Sequence, residues 1–98
     1  MAYPVKGWKN KVGTGVRVAP GGKSWKAYWE EISDKLWPIK CCIKGCNENA
    51  TDGAHMYCPS VDRKEWIVPT CHAHNMSTGE FELKPNTNIV RANVSVDK

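Results

Sequence analysis

The chain has 98 residues, 41% of them hydrophobic, a net charge of +4 at pH 7 and a mean hydropathy of −0.54. That describes one small domain, at the lower end of what a single apolar core can hold together, where a structural metal would help. No apolar run could span a bilayer and no secretory signal opens the chain, so a cytoplasmic protein without a membrane partner is expected.

The first segment, residues 1–23, is rich in glycine (Gly7, Gly13, Gly15, Gly21, Gly22) and also holds Pro4 and Pro20. Such composition favours loops, with one short strand suggested by the alternation over Gly15–Ala19. Residues 1–29 carry Lys6, Lys9, Lys11, Arg17, Lys23 and Lys26 and no acidic residue, whereas all ten acidic residues follow. A basic arm beside a nearly neutral body could meet a phosphate backbone, or could simply be solvated. Trp8, among these lysines, could stack on a base or cover the core.

Ser24 predicts the start of a helix over 24–37, because its hydroxyl can accept from the free N–H groups of the first turn. Trp25, Trp29, Ile32 and Leu36 fall on one apolar stripe, and Pro38 disfavours helix at Trp37. Residues 50–57 and 65–69 read as two strands, with Pro59, Ser60 and Asp62 in the loop between them. A second helix is expected from Thr70-Cys71 until Gly79. The segments Glu80–Lys84 and Ile89–Val96 alternate apolar and polar residues, with a loop over 85–88, and read as a C-terminal β-hairpin.

Between these elements lie two clusters of metal-ligating side chains. One is Cys41-Cys42-Ile43-Lys44-Gly45-Cys46, and the other is Cys71-His72-Ala73-His74. Structural zinc takes four thiolates or imidazoles in a tetrahedron, usually as two pairs presented by two turns. Gly45 permits the tight turn of the first pair, and the spacing of Cys71 and His74 puts the second pair on one helical face. Cys46, Cys71 and His74 are therefore candidate ligands, with either Cys41 or Cys42 as the fourth. Five cysteines, an odd number, also argue against a complete disulfide framework. Cys58 reads as a spare thiol and His72 as an exposed residue.

The pattern Cys41-x-Ile-x-Gly-Cys46, then Ala50 and His55, then Cys71-x-x-His74-Asn75, resembles the HNH endonuclease superfamily. The similarity is to its branch whose ββα-metal core carries an added zinc knuckle, and it covers about 35 residues. It implies a small α+β, treble-clef-like domain over 41–78 and a structural Zn²⁺ on Cys41, Cys46, Cys71 and His74. It also implies that His55 stands where the family keeps its general base and Asn75 where it keeps its last metal-site residue, with Mg²⁺ or Mn²⁺ as catalytic ion. Three positions depart from the family. Ala54 replaces the usual Asp ligand, Trp66 the middle Asn, and Thr78 a frequent basic residue. A methyl group offers a hard cation no oxygen. An active enzyme would then have to assemble its site from Asn75, Asp52 and His72.

Three functions follow as expectations. The first is a zinc module that binds nucleic acid, DNA more than RNA, without efficient catalysis. The second is a metal-dependent endonuclease using His55 and Asn75. The third is a protein-interaction adaptor, for which the five tryptophans could supply a surface.

Overall fold

Five short strands form one antiparallel sheet: β1 (Trp8–Asn10), β2 (Asp52–Tyr57), β3 (Trp66–Thr70), β4 (Glu80–Phe81) and β5 (Val90–Arg91), in the order β4-β1-β2-β3-β5. The structure is a computed structural model that describes residues 3–11, 19–22 and 24–92. Helix α1 (Trp25–Ser33) precedes the metal-ligand clusters, and the short α2 (His72–Asn75) follows β3. This is the small α+β, treble-clef-like arrangement expected from the sequence: a knuckle, a two-stranded hairpin and a helix. Among the described residues, no helix is long and apolar enough to cross a membrane.

Side chains alternate across a strand, so the sheet builds two cores. On one face, Trp8, Ala54, Met56 and Val68 pack with Cys41, Ile43, Cys71 and Leu83. On the other, Ile67 and Val90 pack beneath Tyr28 and Trp29 of α1. The β2–β3 register runs from Asp52 opposite Thr70 to Met56 opposite Trp66. That register places the α1 contacts and the ligand clusters on opposite sides of one hairpin.

Ser24 caps α1 as its hydroxyl oxygen accepts from the Ala27 N–H at 3.1 Å. The helix ends sooner than predicted. Asp34 adopts a left-handed conformation, φ 58°, and its N–H donates to the Glu30 carbonyl at 3.0 Å. A short polar side chain makes that geometry tolerable without glycine. The predicted stripe is cut accordingly: Trp29 is buried and Trp25 half-buried, but Ile32 and Leu36 are 55% and 89% exposed. Trp37 returns to the core through the loop, its ring 5.4 Å from that of Trp29 and its indole N–H on the Ala50 carbonyl.

The approach of α1 to the sheet depends on Gly53. A Cβ there would stand 2.9 Å from the Trp25 Cβ and 3.1 Å from the Ile67 Cγ2. Real Cβ atoms essentially never approach within 3.0 Å, as the Trp25 contact would require, so the helix seats directly on β2 because position 53 has no side chain.

Two expectations are corrected. Among the described residues, the C-terminal segments do not pair as a hairpin: β4 pairs with β1 and β5 with β3, at opposite edges of the sheet. The chain between them crosses the ligand-bearing side, where Leu83 bridges to Ile43 and the Lys84 N–H donates to the Cys42 carbonyl. The N-terminal segment is likewise more than an arm. Its β1 lies inside the sheet between β4 and β2, and Trp8 is 1% exposed, so that indole serves the core. The strand expected at Gly15–Ala19 falls largely outside the described residues, as do Arg17, Lys23 and the end of the tail.

Candidate metal centre

The first ligand pair stands on a knuckle tied on several sides. The Cys46 N–H donates to the Ile43 carbonyl at 3.1 Å, closing a turn through Gly45, whose φ of +83° suits glycine. The Cys41 N–H donates to Glu48 and the Cys42 N–H to Pro69, the latter fastening the knuckle to β3. The second pair opens α2. Cys71 is its N-cap, with a sulfur that accepts from the His74 N–H at 3.5 Å, so one helical turn carries His74 back over Cys71.

These turns bring Cys41, Cys46, Cys71 and His74 together, all ligand atoms lying within 4.8 Å of one another. The Cys46 and Cys71 sulfurs are 3.9 Å apart, and His74 Nδ1 lies 3.3 Å from Cys71 Sγ and 3.6 Å from Cys41 Sγ. With Zn–S near 2.3 Å and Zn–N near 2.0–2.1 Å, the edges of a tetrahedron are about 3.8 Å for S···S and about 3.6 Å for S···N. The donor set and its spacing therefore fit a four-coordinate ion, and the cluster can hold one. Cys42 takes no part. It packs toward Thr87 and Lys84, and burial pushes its thiol pKa up.

Local electrostatics differ between the two knuckle thiols. Burial pushes Cys41 up to about 11, although the N–H groups of Ile43 and Cys71 pull the other way. Cys46 is pulled below the ordinary thiol range, first by the Glu48 backbone N–H. Around the cluster, the Phe81 ring stands edge-on to His74 at 5.3 Å, and Lys84 Nζ donates to the Cys46 carbonyl at 2.8 Å. Asn10 donates its amide to the carbonyls of His74 and Ser77, which holds the end of α2 against β1.

His55 and Asn75 are not brought together. His55 is 5% exposed and faces α1, where its ring stands edge-on to Trp25 at 4.5 Å. Ala54, one residue earlier, points into the core on the opposite, metal-cluster side. Asn75 lies on that same side, where its amide donates to Asp52 Oδ2 at 2.9 Å. Asp52 Oδ2 also meets His72 Nδ1 at 2.7 Å, and Oδ1 accepts from the Thr51 hydroxyl. Partial burial raises the Asp52 pKa, but the bonds from His72, Asn75 and Thr51 outweigh it and hold the carboxyl below its usual range. The polar group at the start of β2 is therefore Asp52, His72 and Asn75, with the His72 ring largely in solvent.

The tryptophans do not form an exposed surface. Trp8 and Trp29 are core residues, and Trp25, Trp37 and Trp66 are half-buried against the two cores. Residues that sequence reasoning missed, Phe81, Lys84 and Asn10, reach the site only through tertiary pairing, so no local signal marks them. Searches for similar proteins found no match among family models, curated proteins or solved structures.

Proposed function

We propose that the chain is a zinc-stabilised, HNH-like module that binds nucleic acid, DNA in preference to RNA, without efficient phosphodiester hydrolysis. The observation that supports the zinc assignment is the convergence of Cys41, Cys46, Cys71 and His74, whose ligand atoms all lie within 4.8 Å of one another. Zinc bound there would link the knuckle to α2, closing the half of the domain that the sheet alone does not hold. Nucleic-acid binding is supported by the basic residues along β1. Lys6 and Lys11 are exposed and Lys9 is half-buried, with Lys11 Nζ 6.0 Å over the Tyr57 ring. Weak catalysis is supported by Ala54, which gives no oxygen ligand, and by His55, which faces α1 rather than α2.

The test is a duplex-DNA binding titration of zinc-loaded protein across a salt series. Neutralising about three phosphates gives a slope of log K against log salt near −3. Affinity that is absent, or indifferent to salt, would refute the reading.

A second reading is a metal-dependent endonuclease, favoured by one observation: Asp52 places a carboxylate beside Asn75 and His72. That trio could supply oxygen and nitrogen ligands to Mg²⁺ or Mn²⁺. Nicking of supercoiled plasmid that needs metal and disappears in Asp52→Ala would establish this reading. Absence of nicking with either ion would leave the binding module.

A further inference from the structure

Three of the four converging ligands are thiols, and they differ in how a solute can reach them. Cys41 and Cys71 are buried, whereas Cys46 is half-buried at the end of the exposed turn Lys44-Gly45-Cys46. The Cys46 sulfur lies 3.9 Å from that of Cys71. The Cys41 sulfur is held differently: it accepts from the N–H groups of Ile43 and Cys71 and stands 3.6 Å from His74 Nδ1. The other two cysteines face elsewhere, Cys42 toward Thr87 and Lys84, and Cys58 toward the Lys6 carbonyl and the Ser60 hydroxyl.

We propose that Cys46 and Cys71 are a peroxide-responsive pair, so that the joint between the knuckle and α2 is closed either by zinc or by a Cys46–Cys71 disulfide. The inference rests on the zinc reading above and not on nucleic-acid binding. Access selects Cys46 as the sulfur that reacts first, in its nucleophilic thiolate form. It attacks one oxygen of hydrogen peroxide; the S–O bond forms as O–O breaks, and the departing hydroxide takes a proton and leaves as water. Proximity selects Cys71 as the partner. Its thiolate attacks the sulfur of the Cys46 sulfenic acid, S–S forms as S–O breaks, and the second oxygen also leaves as water after taking a proton. Two sulfurs have then each given up one electron, and the peroxide has accepted both. A disulfide is about 2.05 Å long, so the sulfurs must close by about 1.9 Å from their 3.9 Å separation, a movement within reach of side-chain rotation at Cys46. Two of the four donors are now spent. Cys41 and His74 alone do not complete a tetrahedral site, and the ion is released.

The fold survives the exchange because the disulfide joins the same two segments as the metal. The Cys42 N–H on the Pro69 carbonyl keeps the knuckle on β3, and Asn10 keeps its hold on the His74 and Ser77 carbonyls. A dithiol reductant reverses the step, returning two electrons and two protons and becoming a disulfide itself.

The test begins with full chain shown to hold one zinc. Hydrogen peroxide is added with a chromophoric zinc chelator present, disulfides are mapped by peptide mass spectrometry, and the fold is followed by circular dichroism. The expected result is release of one zinc per chain, a Cys46–Cys71 linkage, and a nearly unchanged far-ultraviolet spectrum. Dithiothreitol followed by zinc should restore the loaded form. A double variant, Cys42→Ala with Cys58→Ala, should respond like the wild type. Zinc retained under peroxide would overturn the proposal while leaving the metal site standing. So would release without a disulfide, a linkage of Cys46 to Cys41, or a response that disappears in the double variant. A chain that takes up no zinc from the outset would overturn both the zinc reading and this inference.

Discussion

Replacing Gly53 with Ala is a sharp test of how the two halves of the domain fit. The added Cβ would lie 2.9 Å from Trp25 Cβ and 3.1 Å from Ile67 Cγ2, where about 3.7 Å is ordinary contact. Neither neighbour can swing aside, because one is fixed to the helix backbone and the other is a branch of a fully buried side chain. Helix α1 must therefore lift by several tenths of an ångström. Overpacking of this kind costs about 1–3 kcal/mol. The loss of glycine's freedom in the unfolded chain returns about 0.4–1 kcal/mol. The net expectation is a destabilisation of about 1–2 kcal/mol. In a domain of this size that lowers the melting temperature by about 5–15 °C. Urea unfolding of the zinc-loaded protein should show a lower midpoint with an unchanged slope. A second arm sharpens the result. Trp25→Ala retains the offending Cβ and should not rescue Gly53→Ala, whereas Ile67→Ala removes one of the two contacts. Stability equal to or above wild type in Gly53→Ala would refute the direct seating of α1 on β2.

Other outcomes follow from the same geometry. Cys41→Ala should weaken zinc binding by more than about 100-fold, beyond what losing an outer partner costs, while Cys42→Ala should leave it unchanged; competition with a chromophoric chelator distinguishes them. The Tyr3 hydroxyl donates to Asp62 at 2.6 Å and is the main reason that carboxyl sits below its usual range. A depressed carboxyl pKa stabilises the fold above about pH 4 and loses that contribution as pH falls through the folded value. Tyr3→Phe should therefore melt lower than wild type at pH 7, with the gap closing toward pH 3 in a thermal-shift series.

What the sequence made legible was local. The Ser24 cap, the Cys71–His74 turn and the Gly45 knuckle each depend on residues within four positions of one another, and each lies where its spacing places it. The fourth ligand is open between Cys41 and Cys42 in the sequence because both are compatible with the turn. What decides it is the pairing of Cys42 with β3 and with residue 84, contacts between segments far apart in sequence. The same reason hid the tail. Glu80–Phe81 and Val90–Arg91 have strand-like alternation, but alternation does not say which neighbour a strand joins. The separation of His55 from Asn75 was partly readable. In a strand, residues 52 and 54 share one face and 53 and 55 the other, so a His at 55 faces away from whatever Ala54 faces. Which face looks toward α2 depends on tertiary packing. Asp52 beside His72 likewise needs the β2–α2 juxtaposition to become visible.

Native mass spectrometry of the zinc-reconstituted chain tests the central claim most directly. One zinc per chain is expected, lost in Cys71→Ala and in His74→Ala and kept in Cys58→Ala. A chain that takes up no zinc, or one that holds it equally well without Cys71 and His74, would contradict the account.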